Sequence, residues 1–199
     1  MAEKPILFNT PMVRAILEDR KNTTRRVVKP QPMIESTIYP NIDVAGKVCA
    51  EIWGNGAVKH IKQPYHRGDI LWVRETWTSL VGSYLYRADQ KPGMKNPGKW
   101  YPSIHMPREA ARIFLRVTDV RVERLQEITI AGLQEEGMLP DGYISQYTAM
   151  TGGVECFDQW KLLWDSTIKP ADRDRYGWEA NPWVWVISFE RYDTKEAGR

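Results

Sequence analysis

The chain has 199 residues, and its 28 Lys and Arg residues nearly balance 25 Asp and Glu, leaving a formal net charge of +3. A hydrophobic content of 42% excludes a wholly disordered protein, and a mean hydropathy of −0.51 excludes an integral membrane protein. No apolar run reaches the roughly 18 residues of a membrane span, and the N-terminus lacks a signal-peptide pattern. We therefore expect one cytoplasmic domain over 1–199, with no membrane partner and with Cys49 and Cys156 reduced.

The first half of the chain is predicted to hold one helix and four strands. Thr10 is followed by Pro11 and by apolar residues at helical spacing, so we expect a helix over 11–20 with Thr10 as its N-cap. Runs of residues that have β-branched side chains or are bounded by turn residues predict strands over 24–28, 48–53, 57–61 and 70–74. The sequence Gly54-Asn55-Gly56 predicts that the second and third of these strands form a hairpin.

The second half begins with a loop insertion at 88–107, a stretch rich in Pro, Gly and Lys. Alternating apolar residues predict strands over 113–122 and 182–192, and helical spacing predicts helices over 129–136 and 154–166. Hairpin signals with few helices between strands favour an α+β fold over a parallel doubly wound sheet. We expect a small mixed or antiparallel β-barrel of about six strands, decorated by helices.

A basic cluster follows the first predicted helix. Four cations lie within seven residues, at Arg20, Lys21, Arg25 and Arg26. They favour an anionic partner, or they form a solvated turn that opposes the helix dipole. A Thr hydroxyl such as that of Thr24 becomes a nucleophile when a base takes its proton. A Lys can be that base if burial and neighbouring cations lower its pKa.

Seven stretches that cover most of the chain follow a family pattern. They are Lys4-Pro5-Ile6-Leu7-Phe8, 13–17, 20–26, 68–77, 102–107, 117–125 and 181–186. Together they resemble ASCH-domain proteins of the PUA-like superfamily, in particular the larger ones of bacteriophages and prophages. The resemblance implies a PUA-like barrel, and a protein of the host cytoplasm if a phage encodes it.

The ASCH signature, Gly-x-Lys-x-x-Glu-x-Arg, is matched in part. Lys21 and Arg26 agree with it, whereas Asp19 replaces its Gly and Thr24 replaces its Glu. Thr at this position, three residues after Lys, is similar to the small bacterial N4-acetylcytidine amidohydrolases. The resemblance implies that Lys21 is the base and Thr24 the nucleophile.

Those enzymes also use a Glu in a later helix, and the matching stretch here is 133–138. It points to Glu136, with Glu135 as the fallback, as the acid/base or as a carboxylate that orients the lysine. The alternative for Glu136 is a solvated carboxylate at a helix end.

Other polar and aromatic residues are candidates for binding a nucleobase or nucleic acid. They are Arg20, Thr23, Arg25, Arg26, Arg74, Glu75, Trp77, Ser103 and His105, with Tyr101 beside the last two. Arg74 and Glu75 either line the pocket or form a cross-strand ion pair. Trp77 is favoured for stacking on a base, ahead of Trp53, Trp100 and Trp178, which also lie near strand ends or loops. Core packing is expected for Trp72, Trp160, Trp164, Trp183 and Trp185.

No cofactor is expected, since the chain has no Gly-rich phosphate loop and no metal-ligand spacing among its His and Cys residues. The leading hypothesis is a protein that binds a nucleoside or RNA and hydrolyses an N-acyl amide on a cytidine-like nucleoside, with DNA as an alternative partner. A non-catalytic reader of RNA or modified bases is the second hypothesis. The third is a phage interaction protein with a vestigial pocket.

Overall fold

The computed structural model describes residues 2–31, 38–43, 48–54, 57–95, 97–138 and 154–193. The strands in these ranges are β1 (Glu3–Leu7), β2 (Thr23–Val27), β3 (Ile38–Asp43), β4 (Val48–Gly54), β5 (Ala57–Ile61), β6 (Ile70–Arg74), β7 (Trp77–Leu80), β8 (Ser83–Tyr86), β9 (Phe114–Arg124) and β10 (Trp183–Arg191). The helices are α1 (Thr10–Leu17), α2 (Ile130–Glu135), α3 (Val154–Thr167) and α4 (Arg173–Tyr176). Residues 88–107 hold only short 3₁₀ turns where they are described.

A mixed five-stranded sheet in the order β1-β6-β9-β10-β2 is the centre of the fold. Strands β1 and β6 are parallel, and the other neighbours in this sheet are antiparallel. The predicted hairpin is present as β4 and β5, β4 also pairs with β3 to make a three-stranded sheet, and β7 pairs with β8. The predicted α+β class is confirmed.

Strand β10 is buried on both faces. Trp185, Ile187 and Phe189 belong to the core that α1 covers, whereas Val184 and Val186 belong to a second core under α2 and α3. The alternation of apolar residues in the sequence predicted that the first face is buried. The second face is buried as well, because helices cover it. Trp160, Trp164 and Trp185 are buried as predicted, and Trp72 and Trp183 are only partly buried.

Among the residues that the structure describes, the sheet is open and no closed barrel is seen. Strands β1 and β2 are its two edges, and no backbone ladder between described residues joins them. Instead, Arg26 of β2 donates from Nη2 to the carbonyl oxygen of Leu7 in β1 at 2.8 Å. A cleft lined by both strands fills the gap.

Helix α1 differs from its prediction at both ends. Asn9 is the N-cap instead of Thr10, because the Asn9 side-chain oxygen accepts a hydrogen bond from the Met12 amide at 3.0 Å. The helix ends at Leu17 because Asp19 has a φ of 56°, in the left-handed region that interrupts a helix. The chain leaves this turn directly into Lys21 and β2.

Some predictions fall outside what the structure describes. These concern the side chains of Cys49 and Trp53. Among the described helices, none is long and apolar enough to cross a membrane.

Candidate functional site

The end of α2 lies against the chain segment that enters β2. Lys21 and Glu136 form an isolated antiparallel bridge. Next to it, the Asn22 amide donates to the carbonyl oxygen of Glu135 at 3.0 Å. Two residues that are 115 positions apart in sequence are therefore held side by side through their backbones.

Gly137 permits this close approach. Its φ is +78°, and a Cβ at this position would lie 2.8 Å from the Ala15 Cβ and 2.9 Å from the Lys21 Cβ. Replacing Gly137 with alanine therefore combines a left-handed backbone penalty with a steric clash. We expect Gly137→Ala to lower the free energy of unfolding, measured by urea denaturation, by about 2–4 kcal/mol.

Gly82 supplies the matched control, because its φ is +77° and a Cβ at this position would meet no atom within 4 Å. Gly82→Ala should cost only the backbone part, about 1–2 kcal/mol. Equal losses in the two variants would contradict the close approach at Gly137.

A buried ion-pair network extends from the bridge. Lys21 Nζ donates to Glu136 Oε2 at 2.5 Å, to the Glu136 carbonyl at 3.1 Å and to the Thr23 carbonyl at 2.7 Å. Arg25 Nη1 donates to the other oxygen, Glu136 Oε1, at 3.1 Å, and Arg25 Nη2 lies 2.7 Å from Glu123 Oε1. The Glu136 carboxylate thus lies between two buried cations. Of the two sequence alternatives, Glu136 is the buried carboxylate, whereas Glu135 is exposed.

Burial is the main cause that lowers the pKa of Lys21 below its ordinary value of 10.5. Glu136 opposes this change, and the charges of Arg26 and Arg25 add to the lowering. The neutral amine is therefore more accessible here than in an exposed lysine. Among the described residues, no hydrogen bond joins Lys21 to Thr24.

The cleft between β1, β2 and α3 has a volume of about 820 Å³, in the range typical of small-molecule sites. Its lining includes the polar residues Thr24, Arg25, Arg26 and Glu136 and the aromatic residues Phe8, Trp160 and Trp164. The Thr24 hydroxyl, whose residue is 1% exposed, accepts a hydrogen bond from Arg26 Nη1 at 3.1 Å. The Phe8 ring centroid lies 5.3 Å from the Arg26 guanidinium carbon and holds it beside this hydroxyl. A hydroxyl next to a cation that an aromatic ring holds in place suits a ligand with a reactive polar group.

Several predicted residues lie in or next to this cleft. Ser103 lines it from the loop that follows β8. Thr23 is buried behind it, 3.4 Å from Glu135 Oε2, and Arg20 pairs with Glu18 and donates to the Gly137 carbonyl. Thr23 and Arg20 are not among the lining residues, so they support the site without facing it.

Other predicted residues do not line the cleft, and Lys21, the predicted base, is one of them. Glu75 binds Arg112 through both carboxylate oxygens, at 2.9 and 3.1 Å, and Arg74 donates to the Ile104 carbonyl. Neither residue is part of the lining, and the partner of Glu75, Arg112, lies before β9 rather than in a neighbouring strand. His105 is exposed and Trp77 lies in β7, and neither residue is part of the lining.

The sequence interpretation missed the aromatic walls. Trp160 and Trp164 were predicted as core, yet each also lines the cleft, and Phe8 was not singled out. The spacing of the two tryptophans on one face of α3 is the only signal the sequence contains for this wall.

In the part of the chain that the structure describes, no group of three or more His, Cys, Asp and Glu side chains could hold a metal ion. Cys156 is a buried free thiol. No protein-family model, curated protein or solved structure matches the chain.

Proposed function

We propose that this chain is an ASCH-type, PUA-like protein whose cleft binds a nucleoside and hydrolyses an N-acyl amide on its base, with acylated cytidine as the substrate class. The observation that carries the proposal is the hydroxyl of Thr24, a residue that lines the cleft and accepts a hydrogen bond from Arg26. Asp19 supports the family resemblance, since its left-handed φ of 56° is the conformation that the signature glycine would favour.

The proposed first step is attack by Thr24. Its hydroxyl proton passes to the neutral Lys21 amine, directly or through one water, while Thr24 Oγ1 bonds to the acyl carbon. Lys21 already contacts the carbonyl of Thr23, the residue before this hydroxyl, at 2.7 Å. Arg26 stabilises the negative charge that develops as the tetrahedral intermediate forms.

In the second step the carbon–nitrogen bond breaks, and the amine leaves with the proton held by Lys21. Water then hydrolyses the Thr24 ester, which releases the carboxylic acid and restores the hydroxyl. Glu136 acts as a positioning residue in this scheme, because both of its oxygens bind the cations behind Thr24.

The test is hydrolysis of N4-acetylcytidine, followed by chromatography, for the wild-type protein beside Thr24→Ala and Thr24→Ser. We expect Thr24→Ala to lower kcat by roughly 10³-fold or more, because the nucleophile is lost. Thr24→Ser keeps a hydroxyl at the same position and should retain measurable turnover. Equal turnover in Thr24→Ala and the wild type would contradict the proposal.

A non-catalytic reader of RNA or modified bases is the second candidate. It is favoured by the three hydrogen bonds of Lys21, all of which go to oxygens other than that of Thr24. Absence of turnover at high enzyme concentration, together with RNA binding that weakens as salt rises, would support this candidate over hydrolysis.

A further inference from the structure

A row of aromatic rings lies on the surface next to the cleft. The Trp77 ring centroid is 5.5 Å from that of Tyr101 and 5.7 Å from that of Tyr84. The backbones of Trp77 and Tyr101 also pair, through hydrogen bonds of 2.7 and 3.2 Å. Tyr84 and Tyr101 are each 36% exposed, so ring area remains open to a ligand. We call Tyr84, Trp77 and Tyr101 the aromatic row.

The aromatic row connects two cavities. At one end, Tyr101 precedes Pro102 and Ser103, which line the main cleft. At the other end, Tyr84 lines a second cavity of about 410 Å³, together with Trp100 and Lys95. A chain-like ligand could therefore extend from the main cleft along the rings to the second cavity.

Positive charge is concentrated around the aromatic row. Residues 87–112 contain six Lys and Arg against two Asp and Glu, although the whole chain has a net charge of only +3. Both carboxylates are already engaged: Asp89 binds Arg112, and Glu109 accepts a hydrogen bond from the Tyr84 hydroxyl.

The lysines of this stretch are free to bind an anion. Lys91, Lys95 and Lys99 form no ion pair with any described carboxylate, and Lys99 Nζ lies 5.2 Å from the Tyr101 ring centroid. Rings that can stack on bases, combined with unpaired cations that can bind phosphates, are the chemistry of single-strand recognition.

We propose that a single-stranded nucleic acid lies along the aromatic row, with its bases stacked on the rings and its phosphates near Lys95 and Lys99. This inference rests on the proposed function and extends it, since the substrate base would enter the main cleft as part of a strand. A double helix does not fit this role, because its bases are stacked on one another and cannot reach the rings.

The test is fluorescence anisotropy with short fluorescein-labelled oligouridine and oligodeoxyuridine. Tyr101→Ala should weaken binding by roughly tenfold, because one stacking surface is lost. Tyr101→Phe should bind like the wild type, since the ring remains and the hydroxyl makes no hydrogen bond with a described residue. Leu162→Ala is a further control, because this 72% exposed side chain on α3 is not part of the aromatic row.

If either oligonucleotide binds to the wild type and this binding is lost in Tyr101→Ala, the result supports the proposal. The oligonucleotide with the higher affinity identifies the preferred sugar. Equal affinity in Tyr101→Ala and the wild type, or no binding by the wild type, overturns it. These results are independent of nucleoside hydrolysis. A wild-type protein that binds the oligonucleotide through Tyr101 but does not hydrolyse N4-acetylcytidine would refute the proposed hydrolysis alone.

Discussion

Glu136→Gln is expected to lower the free energy of unfolding by about 3–5 kcal/mol. The substitution preserves the shape of the side chain but removes the negative charge between Lys21 and Arg25. Both cations have almost no exposed side-chain surface, so water cannot replace the lost carboxylate. The loss is a large share of the roughly 5–15 kcal/mol that stabilises a typical domain. Urea denaturation followed by tryptophan fluorescence measures it.

Glu190→Gln is the matched control for this prediction. Glu190 pairs with Arg116 at 3.5 Å, but its side chain is 56% exposed. An exposed pair of this kind contributes at most about 1 kcal/mol. If Glu136→Gln unfolds at the same urea concentration as Glu190→Gln, the buried network does not stabilise the fold as described.

Lys21→Arg is expected to lower turnover of N4-acetylcytidine by roughly 10²–10⁴-fold, the usual contribution of a general base. Arginine keeps the positive charge beside Glu136, but its guanidinium does not release a proton in the working pH range. In the wild type, turnover should rise with pH as Lys21 loses its proton. Because burial lowers the pKa of Lys21, the midpoint of this rise should lie at a pH below 10.5, the ordinary pKa of lysine. The rise should be absent from Lys21→Arg.

Lys21→Met is a second variant, which keeps the prediction testable if Lys21→Arg does not fold. Methionine has a similar length, removes the charge and accepts no proton, so it should be as inactive as Lys21→Arg. Thermal unfolding of both variants identifies the folded one. A folded variant with wild-type turnover and an unchanged pH profile would show that Lys21 is not the base.

Local sequence patterns predicted much of the secondary structure, but they did not predict whether the strands form a closed sheet. The alternation over 113–122 corresponds to β9, and the predicted hairpin corresponds to β4 and β5. Strand β1 was missed because its five residues include Lys4 and Pro5, which weaken a strand pattern. The contact between Arg26 and Leu7 links the two edge strands across 19 positions of sequence and has no local signal.

The candidate site was predictable where its residues are close in sequence. Lys21, Thr24 and Arg26 belong to one short segment, and a strand that follows a sharp turn brings them together. Glu136 was predicted as a site residue from the family resemblance, and spacing alone did not predict its ion pair with Arg25. Arg74 could not be assigned from sequence, because its partner is a carbonyl oxygen in the 3₁₀ turn at 103–105.

The most direct test of the central claim is the identity of the acylated residue. The wild-type protein is mixed with excess N4-acetylcytidine, quenched with acid during the first turnover and analysed by peptide mass spectrometry. The proposed mechanism predicts an acetyl group on Thr24 in the wild type and none on this peptide in Thr24→Ala. Release of cytidine with no acetyl group on the protein, or with the acetyl group on Lys21 instead, would contradict it.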